Sequence, residues 1–121
     1  MILVDTSVWI DHLRAGDVGL TALLDRSQVL MHPFVVGELA CGNLSNRMEI
    51  LRLLQDLPQI SVATDTEVLL FIERHRLMGR GVGYVDAHLL AATMLANPAQ
   101  LWTRDQRLAA VAESLSLKFE A

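Results

Sequence analysis

Three apolar residues followed at once by a carboxylate and two hydroxyls, Ile2-Leu3-Val4-Asp5-Thr6-Ser7, constrain this chain more than any other stretch. A continuous branched run reads as a strand buried on both faces, the kind found in parallel sheets. The run stops at Asp5, so a charge stands at the carboxyl end of a core strand. Ligands bind at that end of open α/β sheets, and it is also where the next helix must start.

Read onward, strands and helices alternate. Val8, Trp9, Ile10 and Leu13 recur at helical spacing up to Ala15-Gly16, with Trp9 assigned to the core, and a short helix from about Val18 to Arg26 follows. Val29-Leu30-Met31 is a second strand, and Pro33 opens a helix through Cys41 that Gly42 can stop. Ser45 is the expected N-cap of a helix carrying Met48, Ile50, Leu51, Leu53 and Leu54 to near Pro58. A third strand is expected at Ile60-Ser61-Val62. Thr64 and Glu67 then have capping-box spacing, before Val68, Leu69, Phe71, Ile72 and Leu77. Gly79, Gly81 and Gly83 loosen the chain ahead of a small-residue helix from Tyr84 to Ala96, which Asn97-Pro98 breaks. Leu101-Trp102-Thr103 reads as a fourth strand, Asp105 precedes a last helix with Leu108, Val111 and Leu115, and Leu117-Lys118-Phe119 reads as a short final strand. Parallel neighbours need crossover helices, so the alternation indicates an α/β domain with a mainly parallel sheet.

At 121 residues, 52% hydrophobic and 20% charged, the chain has the composition of one compact domain spanning 1–121. The single cysteine, Cys41, excludes an intrachain disulfide and reads as a buried small residue. No basic leader precedes the apolar start and Asp5 interrupts it, so a soluble cytoplasmic protein with no membrane segment is expected. The net charge of −4 argues against an anionic partner. That argument weakens if some of the fourteen acids hold a cation, and nine of the ten basic residues are Arg, suited to forked contacts with phosphate.

Most of the acids lie among polar neighbours. Asp5, Glu38, Asp86 and Asp105 instead interrupt apolar sequence, where an unpaired charge would be costly to bury. Asp5, Asp86 and Asp105 each stand just before a helix and can be read as N-caps. Glu38, within Val35-Val36-Gly37-Glu38-Leu39-Ala40, caps nothing. A shared cation accounts for all four, whereas without one such a cluster repels itself and takes up protons. Oxygen-only ligands select Mg²⁺ or Mn²⁺, and no Cys or His pair has zinc spacing.

These segments resemble a PIN-domain ribonuclease of the VapC type, the toxin of a toxin-antitoxin pair. Val4-Asp5-Thr6-Ser7-Val8-Trp9-Ile10, Glu38, Asp86 with Leu90-Ala91-Ala92 behind it, and Trp102-Thr103-Arg104-Asp105 carry the likeness, which covers essentially the whole chain. The resemblance implies a three-layer domain with a five-stranded, mainly parallel sheet of order 3-2-1-4-5 flanked by helices. Asp5, Glu38, Asp86 and Asp105 would be the catalytic, metal-binding acids, holding one or two Mg²⁺ ions or Mn²⁺ in their place. Thr6, Ser7 and Thr103 would support them. The implied activity is metal-dependent endoribonucleolytic cleavage of structured RNA such as tRNA or rRNA, in a homodimer silenced by a cognate VapB-type antitoxin.

Arg74, Arg76 and Arg80 are candidates for RNA backbone contact, or else form a positively charged helix end facing solvent. His88 could reach phosphate if it faces the site, but a histidine on a buried small-residue helix reads first as a hydrogen-bonded core group. A phosphatase with an Asp nucleophile would need a second acid where Ser7 stands, and a receiver domain would need neighbouring acids after the first strand. The alternative from another class is a catalytically inert PIN-like module that binds RNA or protein.

Overall fold

The computed structural model describes all 121 residues. Strand β1 (Ile2–Val4) is central, with β2 (Val29–Leu30) on one side and β3 (Gln100–Trp102) on the other, both parallel to it. Leu3 and Val4 are fully buried, as a strand covered on both faces requires. The chain leaves β1 toward β2 and reaches β3 only after four further helices, so the switch in strand order falls between β1 and β3.

Seven helices surround this sheet: α1 (Thr6–Ala15), α2 (Val18–Asp25), α3 (Pro33–Ala40), α4 (Arg47–Asp56), α5 (Asp65–His75), α6 (Tyr84–Leu95) and α7 (Gln106–Ser114). Helix α6 is buried from Ala87 through Thr93, as its run of small and apolar residues predicts. One cluster of 26 buried residues forms the core and includes Trp9.

The sheet has three strands, not the expected five. Beyond β2, Met31 and Gln59 form a single parallel bridge, with Met31 N–H donating to Pro58 O at 2.8 Å and Ile60 N–H to Met31 O at 2.9 Å. Beyond β3, Leu101 and Lys118 do the same, with bonds of 2.7 and 2.9 Å. The second bridge falls within the expected Leu117-Lys118-Phe119, the first at Gln59, one residue before the expected Ile60-Ser61-Val62, and neither extends into a ladder. The cause on the β2 side is local: the residue after Met31, His32, already caps α3, so nothing further can pair. On the other side Lys118 follows closely on the end of α7 and on Ser116, which turns the chain through a positive φ of 60°.

Three smaller expectations also fail. The N-cap of α4 is Asn46 in a left-handed conformation (φ 52°), and it makes no side-chain cap bond, so Ser45 lies one residue outside. Cys41 is exposed, because it follows α3 on the outward side of its last turn. The Leu101–Thr103 strand begins and ends one residue earlier than expected. No helix is long and apolar enough to cross a membrane.

Candidate active site

The carboxyl end of β1 gathers the site. Asp5 follows β1 directly, its N–H donating to Trp102 O of β3 at 2.9 Å, so the ends of the two strands are tied together. Asp105 is the N-cap of α7, two residues beyond Thr103. Glu38 sits on α3, which packs against α1, and Asp86 lies in the first turn of α6, which packs against β3.

Asp5 is buried, and its Oδ2 accepts from Ser7 Oγ at 2.8 Å and from Thr103 Oγ1 at 2.7 Å. Each hydroxyl in turn accepts a backbone N–H, Arg104 N to Ser7 Oγ at 3.0 Å and Asp105 N to Thr103 Oγ1 at 3.1 Å. The backbone donors thus turn both hydroxyl protons onto one carboxylate oxygen, fixing its direction. Thr6 Oγ1 donates to Glu38 Oε1 at 2.7 Å and joins α1 to α3. Asp86 Oδ2 accepts from Gly83 N–H at 3.3 Å, and Asp105 Oδ1 caps α7 by accepting from Arg107 N at 2.9 Å and Leu108 N at 3.0 Å.

Glu38 and Asp105 are exposed and Asp86 is half-buried, so burial of all four acids, expected from their apolar surroundings, holds only for Asp5. Helix α3 has eight residues and buries only Val35 and Leu39; Glu38, one position before Leu39, is turned about 100° off that stripe. The acids nevertheless act on one another. Burial holds the Asp86 carboxyl above the usual carboxylate range, and the charges of Asp5, Asp105 and Glu38 add to the effect, against the Gly83 N–H that lowers it.

All-oxygen donors suit a hard divalent cation. In each acid one oxygen is taken by a protein donor, while the other, Asp5 Oδ1, Glu38 Oε2, Asp86 Oδ1 and Asp105 Oδ2, accepts no hydrogen bond. No three His, Cys, Asp or Glu side chains stand close enough to form a ready cage. Mg²⁺, commonly held by one or two carboxylates while keeping several waters, does not require such a cage.

The residues expected to contact RNA do not join this cluster. Arg74 lines a groove with Ala91, Met94 and Leu95, at the other end of α6 from Asp86. Arg76 ends α5 in a left-handed conformation, and Arg80 Nη1 lies 3.4 Å from Ser114 Oγ at the end of α7. His88 is 2% exposed, which removes it from contact with phosphate: it stacks edge-on against Phe34 and Tyr84, and its Nε2 lies 3.2 Å from Asp65 Oδ1. Asp65, which also accepts from Tyr84 Oη at 2.8 Å, had no signal in the sequence beyond its place in a helix's first turn.

The sequence of this parallel-sheet α/β domain matches the family model described as the PIN domain over residues 2–114, and the chain belongs to that family. The particular branch follows from a closer likeness. The chain is 54% identical to Ribonuclease VapC32 of Mycobacterium tuberculosis (strain CDC 1551 / Oshkosh) over 115 residues, 94% of this chain and 93% of that protein, and to the same degree to Ribonuclease VapC32 of strain H37Rv. It is a VapC-type PIN domain.

Proposed function

We propose that the protein is a Mg²⁺- or Mn²⁺-dependent endoribonuclease toxin that hydrolyses phosphodiester bonds of structured RNA, tRNA or rRNA, and is neutralised by a cognate VapB-type antitoxin. The observation that carries this reading is that Asp5, Glu38, Asp86 and Asp105 each have one oxygen held by a protein donor and the other without a hydrogen bond, while the charges of the other three add to the burial that raises the Asp86 carboxyl. Repulsion of that kind is a cost to a metal-free scaffold and an asset to a cation site. Ribonuclease is also the activity in the name of the relatives at 54% identity.

Asp5, Glu38, Asp86 and Asp105 are the residues that would hold one or two ions. When bound, a divalent ion supplies Lewis acidity toward phosphate and water. The protein's own part is orientation. Ser7 and Thr103 fix Asp5, Thr6 fixes Glu38, and the Gly83 and α7 N–H groups fix Asp86 and Asp105, so one oxygen of each acid is held and the other left for an ion. Burial and the neighbouring charges raise the Asp86 carboxyl, and a bound cation would favour its ionised form. Leu69 and Leu70, exposed on α5, offer an apolar surface for the homodimer the family implies.

Cleavage of a small-RNA pool by purified protein tests the reading. With Mg²⁺ or Mn²⁺ discrete products are expected, and EDTA should abolish them. Asp5→Asn, which keeps an oxygen for Ser7 and Thr103, should lower the rate at least about 100-fold without unfolding the chain. Full activity in a folded Asp5→Asn protein would refute the site; absence of both cleavage and Mn²⁺ binding by calorimetry would leave the inert module.

A further inference from the structure

Arg104 stands between Thr103 and Asp105, yet its side chain engages none of the four acids. Its Nη1 donates to Asp11 Oδ2 of α1 at 2.7 Å, its Nη2 pairs with Oδ2 of Asp17, the N-cap of α2, and its guanidinium lies 5.6 Å from the centre of the Trp102 ring. A planar fork can bridge two carboxylates and stack on an aromatic face at once; an ammonium cannot.

The post to which it is tied is itself rigid. Asp17 Oδ1 accepts from Leu20 N at 2.9 Å, and Asp17 N–H donates to His12 Nδ1 at 3.0 Å, so the α1–α2 corner is closed by its own bonds. The first turn of α2 presses onto Trp102: a Cβ on Gly19 would lie 3.3 Å from that ring. From the other side, the Arg104 backbone N–H donates to Ser7 Oγ, the hydroxyl that directs Asp5. The same residue is therefore held outside by its side chain and inside by its backbone, with Thr103 and Asp105 carried between.

We propose that Arg104 is a positioning residue: clamped to Asp11 and Asp17 over Trp102, it holds the Thr103–Asp105 turn against Ser7 and so fixes Asp5 and Asp105 for catalysis. What is being positioned rests on the nuclease reading; the clamp itself does not. Half-exposed ion pairs of this kind add little to global stability, which separates the clamp from a merely structural role.

The test uses Arg104→Ala, Arg104→Lys and the double variant Asp11→Asn, Asp17→Asn. The last leaves Arg104 and the α2 cap oxygen in place and decides the matter if Arg104→Ala does not fold. Amide hydrogen exchange, read in EDTA without RNA, should speed up at least about tenfold at the Arg104 N–H in the alanine and double-asparagine variants, while Leu90 in α6 is unchanged. Against small RNA with Mg²⁺, both should lose roughly 10–100-fold in kcat with KM unchanged, and Arg104→Lys should recover only part. Unaltered exchange and turnover would overturn the proposal. So would a rise in KM with a shallower salt dependence at constant kcat, which would make Arg104 a phosphate contact. Should the wild type fail to cleave RNA, the nuclease reading falls while the exchange data still decide the clamp.

Discussion

Burial raises the Asp86 carboxyl, and the charges of Asp5, Asp105 and Glu38 add to the effect against the Gly83 N–H that lowers it. A carboxyl whose pKa is raised on folding holds its proton longer in the folded chain than in the unfolded one. Its contribution is therefore complete at low pH and is lost as pH rises through the raised value. Asp86→Asn keeps an oxygen for the Gly83 N–H and removes the charge. It should melt above the wild type near neutral pH in EDTA, with the gap closing in acid, while cleavage is lost; thermal melts across pH check this. His32 gives the opposite slope. Burial and then the neighbouring His88 push its pKa down to about 4, so in acid the unfolded chain takes up a proton that the folded chain refuses. Stability should fall by on the order of 2 kcal/mol from pH 7 to pH 5 on this account alone. His32 Nδ1 caps α3 by accepting from Phe34 N at 3.0 Å, and Asn can also cap, so His32→Asn should flatten that slope in urea titrations at the two pH values.

Helix α5 is the element whose local design is most complete. Thr64 Oγ1 accepts from Glu67 N at 3.1 Å and Glu67 Oε1 accepts from Thr64 N at 2.8 Å, a reciprocal cap. The adjacent Asp65 holds Tyr84 and His88 of α6, so fraying of this turn would reach the helix that carries Asp86. Thr64→Ala should cost about 1 kcal/mol, seen as a lower urea midpoint at constant m, whereas Ser45→Ala should be silent because Ser45 caps nothing. The contrast marks what was legible. Thr64 and Glu67 satisfy two donors by spacing alone, which sequence records; the start of α4 depends on a left-handed backbone turn at Asn46, which it does not. In the same way the burial of β1 and α6 follows from unbroken apolar runs, while Ile60-Ser61-Val62 and Leu117-Lys118-Phe119 look like strands because strand composition is local and pairing is not. Only Lys118 of the second bridges, to Leu101, while beside the first the bridge to Met31 is made by Gln59. The four acids could be read because each breaks an apolar run; the clamp of Arg104 could not, since Asp11 and Asp17 meet it from 93 and 87 residues away.

At the scale of the whole molecule, these devices set a protein of net charge −4 around a site that is itself acidic. Neutralising the site by cation binding should therefore stabilise the whole fold as well as permit chemistry, because the ion binds only the folded arrangement. At about 100 times Kd the linkage relation gives roughly 2.7 kcal/mol, on the order of 10 °C in Tm for a chain of this size. The effect should saturate with Mn²⁺ or Mg²⁺, should not be reproduced by NaCl at matched ionic strength, and should vanish in Asp5→Asn. General screening by salt would act equally on all fourteen acids and on that variant too, so a shift that survives Asp5→Asn would place the ion elsewhere. Asp86→Asn adds the sharper comparison. It should start above the wild type without metal and gain less from it, so the two melting curves should cross as Mn²⁺ is added, since the burial and neighbouring charges that raise the Asp86 carboxyl would be offset by a bound cation.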